Sequence, residues 1–312
     1  MNAILFPGQG SQIVGMGQEF YNNFELVKKI FNEADEKLDF KISKLILEGP
    51  ESELKLTQNT QPAILTVSFS IFSILKKEFN FNFEKTKYFA GHSLGEYSAL
   101  VCSDSLDFKD AIHLLFERGK SMQEAVPIGK GSMIAVLGSK IEDLNGLIKD
   151  SQINGVCEIA NDNAEGQTII SGDIESINSL QKILKNNNKK FIPLNVSAPF
   201  HCSLMKPSAK KMESKINATN FKKPNFKIVN NVTSTPEDNP VKIKKLLIEQ
   251  ICATVKWRES IINMSKENIT KFIEIGPGKV LSGMVKRTLK NINCFSINSI
   301  DDMKKIQDEF KK

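Results

Sequence analysis

The pentapeptide Gly91-His92-Ser93-Leu94-Gly95 constrains this chain more than any other stretch of it, because the pattern fits a sharp strand-to-helix turn that lifts a serine hydroxyl clear of the backbone. The preceding Lys87-Tyr88-Phe89-Ala90 is short, apolar and aromatic like a buried strand, and Glu96-Tyr97-Ser98-Ala99-Leu100-Val101 can continue as a helix. Gly91 and Gly95 fit where the helix start passes the strand and leaves no room for a Cβ. Strand, turn and helix in that order point to an α/β fold with Ser93 as a nucleophile for acyl chemistry. On this segment alone, hydrolysis and transfer both stay open.

The elements around the elbow read as two patterns. A strand over 3–6 is followed by a glycine-rich turn and then by helices to about residue 79, including an amphipathic one over 26–38. Pro62 is placed in the first turn of a buried helix whose apolar run, 63–75, is interrupted by serines and too short to cross a bilayer. A helix over 108–125 carries Ala111, Leu114, Leu115 and Met122 on a helical period and is ended by Pro127, Gly129 and Gly131. Strand 133–137, helix 142–149, strands 156–160 and 168–171, helix 176–185 and strand 191–196 then give the order βαββαβ, a split βαβ unit. The expected architecture is α/β. A large α/β-hydrolase-like domain with a parallel sheet and a nucleophile elbow (1–126 and 197–312) carries an inserted ferredoxin-like subdomain (127–196). A strand at 226–230 and a final strand at 271–275 complete the large domain. Asn186-Asn187-Asn188 and the Lys-rich C-terminus read as solvated surface.

At 312 residues such a chain buries a sizeable core without metal or disulfide. Forty-two Lys and Arg against 36 Asp and Glu give a net charge of +6, with the lysines scattered. That surplus suits acidic or phosphate-bearing partners and makes no case for nucleic acid. The five cysteines are odd in number and widely spaced, with no metal-type clustering, so they read as reduced thiols of a cytoplasmic protein. No secretory signal is read at the N-terminus, and neither a membrane segment nor a metal site is expected.

An active serine needs a base, and only three histidines exist. His92 lies in the elbow, where the turn points it away from the hydroxyl. His113 sits inside a helix. His201 follows Val196-Ser197-Ala198-Pro199-Phe200, a strand end running into a loop, where catalytic side chains are commonly presented, and it is the candidate general base. The stretch Phe6-Pro7-Gly8-Gln9-Gly10-Ser11-Gln12 fails as a dinucleotide fingerprint, because Ile13 stands in place of the third glycine and Pro7 removes a donor. It still leaves backbone N–H groups free to face a cleft. Arg118, with apolar Leu115 and Phe116 beside it, is compatible with a partly buried guanidinium able to bind a carboxylate.

Taken together these pieces resemble the malonyl-CoA:acyl carrier protein transacylase family over essentially the whole chain. The resemblance rests on Phe6-Pro7-Gly8-Gln9-Gly10-Ser11-Gln12, the elbow with Glu96-Tyr97, Arg118-Gly119, Ile159-Ala160-Asn161 with Gly166-Gln167 and Ile170-Ser171-Gly172, Ser197-Ala198-Pro199-Phe200-His201-Cys202, Gln250, and Glu274-Ile275-Gly276-Pro277-Gly278-Lys279-Val280-Leu281. It implies that Ser93 carries the acyl group and His201 takes its proton. It also implies that the Gln9 and Leu94 amides form an oxyanion hole, that Arg118 holds the malonyl carboxylate, and that a main-chain carbonyl near Gln250 orients the histidine. Phe200 and Leu94 match the malonyl rather than the methylmalonyl pattern. The implied substrates are malonyl-CoA and acyl carrier protein, with no cofactor, no nucleic acid and no membrane, in a cytoplasmic monomer serving fatty-acid synthesis. Ser203 departs from the proline many members carry, and Asp162 is a variable position; neither is expected to touch the chemistry.

Overall fold

The computed structural model describes residues 1–196 and 198–311, without the side chains of residues 308–311. Ser197, where the large unit was expected to resume, and Lys312 lie outside the described residues. Among the described residues the strands are β1 (Asn2–Phe6), β2 (Thr86–Gly91), β3 (Gly131–Leu137), β4 (Cys157–Ala164), β5 (Gln167–Asp173), β6 (Lys190–Pro193), β7 (Lys227–Val229), β8 (Pro236–Glu237), β9 (Lys271–Ile275) and β10 (Asn293–Ile297). They form a six-stranded sheet in the order β10-β9-β1-β2-β7-β8 and a four-stranded sheet in the order β4-β5-β3-β6. The larger sheet is parallel except for β8, and the smaller is antiparallel throughout.

The alternation of side chains along β1 shows how the large sheet is covered. Ile4 and Phe6 join one core, with the helices Thr57–Lys77 and Phe108–Glu124, while Ala3 and Leu5 join the other, with Trp257–Lys266 and Val280–Thr288. Both faces are therefore buried, as a parallel sheet requires. In the small sheet Ile134, Val136 and Ile170 pack on that sheet's own two helices, through Leu144, Ile177, Leu180 and Leu184. Met133, Ala135 and Ile169 face the opposite way and join the large core.

Four expectations need correction. The strand at Lys271–Ile275 is not the last, because β10 extends the sheet beyond it and the helix Ile300–Lys311 follows. Its Met303 and Ile306 are buried, so the Lys-rich end is an amphipathic helix with one face in the core. The short, half-buried β10 lacks the apolar run that marks a central strand. Pro62 lies in the second turn of Thr57–Lys77, not its first. The sixth strand stops at Pro193 instead of Val196.

The register of β1 on β2 sets Phe6 opposite Gly91, so the loops leaving both strands emerge side by side at their carboxyl ends. The fit is tight: a Cβ on Gly91 would lie 1.9 Å from the Gly95 backbone, and one on Gly95 would lie 2.2 Å from the Phe6 carbonyl oxygen. Gly91→Ala is expected to destabilise the fold by about 3 kcal/mol or more, because backbone has to move on both sides. Denaturant unfolding checks this, and a loss under about 1 kcal/mol would mean that the elbow relaxes freely.

Candidate active site

The elbow puts Ser93 at φ +53°, a left-handed conformation that costs a non-glycine residue energy and that the surroundings must enforce. Asn231, fully buried just after β7, supplies the clamp. Its Oδ1 accepts the Ser93 backbone N–H at 2.7 Å, and its Nδ2 donates to the Gly91 carbonyl at 2.8 Å. With the Ser93 amide occupied, the next amide along, that of Leu94, is left without a partner among the described residues, as is that of Gln9. Gln9 lines the cavity in front of Ser93, whereas Leu94 is buried behind it at the start of the helix Gly95–Cys102.

His201 sits 108 residues from Ser93 in sequence, yet its Nε2 lies 2.8 Å from the Ser93 Oγ. The Nδ1 lies 2.9 Å from the Gln250 main-chain oxygen, which can only accept. The ring is therefore protonated on Nδ1, and its bare Nε2 accepts from the serine hydroxyl. Burial, and then the charge of Arg118, lower the imidazole pKa to about 3, against the Gln250 bond that favours protonation. The base is neutral at rest.

Arg118, on the helix Phe108–Glu124, is 1% exposed and is the only charged side chain among the cavity's lining residues. Its Nη1 donates to Gln61 Oε1 at 2.7 Å, and its Nη2 donates to Gln250 Oε1 at 2.9 Å and to Ser93 Oγ at 3.1 Å. The Tyr97 ring lies 5.8 Å from the guanidinium carbon, and Nε has no partner. No carboxylate forms an ion pair with this cation among the described residues. A fork held by neutral groups, with a donor to spare, is built to receive an anion.

The cavity, about 180 Å³, is closed by Phe200, Met122, Met133, Ile169 and Leu194 around these polar groups. Thus Ser93, His201, Arg118, Gln9 and Phe200 line one cavity, and Gln250 stands behind three of them. The structure turns His92 away, its Nε2 2.8 Å from Asn163 Oδ1, and leaves His113 on the surface. Three network members escaped the sequence reading: Gln61, Glu96 and Asn231. Asn231 alone carried a signal, since it follows a strand at the carboxyl edge of the sheet.

β4 ties the small sheet to the histidine loop, to the segment after Gln250 and to the elbow. Glu158 receives the Ser203 backbone N–H at 2.9 Å and its hydroxyl at 2.5 Å, which fixes the turn after His201. A proline at 203 could make neither bond, so this departure from the family pattern shapes the histidine loop after all. Val255, past Gln250, bonds on both sides of Asn161, and Asp162 pairs with Arg258 at 2.9 and 3.0 Å. Asn163 holds His92 in the elbow.

Comparison with known proteins matches residues 4–312 to the acyl transferase domain family. The malonyl CoA-acyl carrier protein transacylase of Bacillus subtilis is 43% identical over 298 residues, which cover 95% of this chain and 93% of that protein. A solved acyl-carrier-protein-S-malonyltransferase from Bartonella henselae superposes with a TM-score of 0.96 at 36% identity, covering 100% of this chain and 99% of the other. A malonyl-transacylase solved in complex with its type II PKS acyl-carrier protein superposes at 0.95, with 36% identity and 99% of both chains covered.

Proposed function

Since this chain belongs to the acyl transferase family, among its malonyl-CoA:acyl carrier protein transacylases, we propose that it moves malonyl from malonyl-CoA to the phosphopantetheine thiol of acyl carrier protein through an ester on Ser93. The observation that carries the reading is Arg118: a buried cation with no carboxylate in direct contact among the described residues, hydrogen-bonded to the nucleophile, in a cavity whose other lining side chains are neutral. In the first half-reaction the Ser93 Oγ attacks the thioester carbon while His201 Nε2 takes its proton. The tetrahedral oxyanion is held by the Gln9 and Leu94 amides. Collapse expels CoA as a thiol protonated by His201, and the malonyl ester remains. The second half-reaction reverses these steps with the carrier thiol, giving ping-pong kinetics.

The Gln250 carbonyl fixes the tautomer of His201 but stabilises an imidazolium less than a carboxylate would. A thiolate leaves more easily than an amine, which lightens that task. The route needs neither metal nor cofactor. A carrier protein as acceptor, a cytoplasmic setting, fatty-acid synthesis as the pathway and a monomeric working state complete the proposal. The carrier-protein complex of the relative supports the first of these. No helix among the described residues is long and apolar enough to cross a membrane.

Mass spectrometry after mixing with malonyl-CoA is expected to find one malonyl group on Ser93, discharged by added carrier protein. Absence of the adduct would sink the proposal, and rapid release of free malonate would make the chain a hydrolase. The pH profile gives a second check. Because the reactive imidazole is the neutral form, a pKa lowered to about 3 extends the working range toward acid. The kcat/KM for malonyl-CoA is expected to stay level as pH falls from 7 through the ordinary imidazole value of 6.5, with its acid limb below about pH 5. A limb centred at 6.5 would show a solvated histidine in the working enzyme.

A further inference from the structure

Glu96 is an ionisable residue 2% exposed, in the first turn of the elbow helix, that the chemistry above leaves unused. Its Oε2 accepts from Gln250 Nε2 at 2.8 Å and from the Asn231 backbone N–H at 3.1 Å. The same Gln250 amide nitrogen also donates to the Ser93 carbonyl at 3.1 Å and to Asn231 Oδ1 at 3.2 Å. All three neighbours on that side are acceptors and Arg118 on the other side is a donor, so the amide has one orientation, with Oε1 toward the guanidinium. Glu96 and Arg118 are thus joined through a single amide without touching.

We propose that Glu96 is the relayed counter-charge of Arg118: ionised while the cavity is empty, it takes up one proton from solvent when a substrate carboxylate docks on the guanidinium. The proposal rests on the malonyl reading above. Held one amide away, the carboxylate balances the buried cation without occupying its fork, where a direct ion pair would compete with the substrate. Arrival of a second anion leaves the pocket with two negative charges for one positive, and Glu96, which holds a proton far more readily than neutral His201, restores the balance by binding one while its other oxygen keeps accepting from Gln250 and Asn231.

Among the described residues Arg118 is the only charged group that faces Glu96 from the packed helices. Tyr97, its neighbour on the elbow helix, is neutral and pushed up to about 12, mainly by burial. Gln250 and Asn231 are uncharged, and His201 beyond Gln250 is neutral. Burial raises the Glu96 pKa to about 7, opposed by the Gln250 and Asn231 hydrogen bonds and by Arg118, so the proton is within reach at working pH.

Transfer of malonyl from CoA to a hydroxyl releases no proton below the thiol's range, so any uptake belongs to the protein. The test is to mix stoichiometric malonyl-CoA with the enzyme in weakly buffered indicator solution between about pH 6 and 8, below the thiol's range, while counting Ser93 adducts by mass. Uptake approaching one proton per adduct above pH 7 is expected, absent with acetyl-CoA and absent in Glu96→Gln. The loading equilibrium should correspondingly fall up to about tenfold per pH unit above pH 7. Adducts without proton uptake in the unmodified enzyme would overturn the counter-charge role and leave the malonyl reading intact, whatever the folding of Glu96→Gln. Uptake that persists in a folded Glu96→Gln would also overturn it, and failure to load Ser93 would overturn both.

Discussion

His201→Ala is expected to lower the rate of malonyl loading by about 10⁴-fold, close to 5.5 kcal/mol in the barrier, because no other neutral base among the described residues reaches the Ser93 hydroxyl. Arg118 Nη2 also contacts that oxygen, but a guanidinium only donates and cannot take the proton. The variant should retain slow loading above the solution rate, supported by the two free amides and by binding. Stopped-flow measurement of CoA release gives the number. A decrease under about tenfold would mean that another group, or water, accepts the proton.

Arg118→Ala is expected to invert the enzyme's preference. Malonyl loading should fall by about 10³-fold, since the cavity then offers the carboxylate only neutral amides and apolar walls. Acetyl loading should hold or rise, because the unpaired buried cation that penalises a group without a carboxylate is gone. Competition between malonyl-CoA and acetyl-CoA, read as the ratio of the two adducts on Ser93, checks both halves. An unchanged ratio would remove Arg118 from substrate choice. The variant also leaves Gln61 and Gln250 without their donor, so its unfolding should be followed in parallel.

The groups proposed to meet the substrate were legible in the sequence because each has a local signature: a tight turn for Ser93, a strand end for His201, a glycine-bearing loop for Gln9. The residues that hold them were not. Glu96 reads as an ordinary polar position of a helix, since charged side chains are seldom buried and nothing adjacent reveals that Gln250, 154 residues on, will meet it. Asn231 has the signal of its place after a strand, but nothing in the pattern ties it to an elbow 138 residues away. The same limit hid β10, a strand defined by its place beside β9 and not by its own residues. The βαββαβ order was legible because every strand there alternates with an amphipathic helix or a hairpin turn.

The contacts that complete the site span half of the chain: 108 residues from nucleophile to base, 49 from base to its carbonyl, 157 from that glutamine back to the serine. During synthesis the chain emerges with its serine first and its histidine about a third of its length later, and the carbonyl that sets the tautomer comes later still. A ribosome-bound chain that has not reached His201 is therefore expected to load thioesters no faster than the His201→Ala variant.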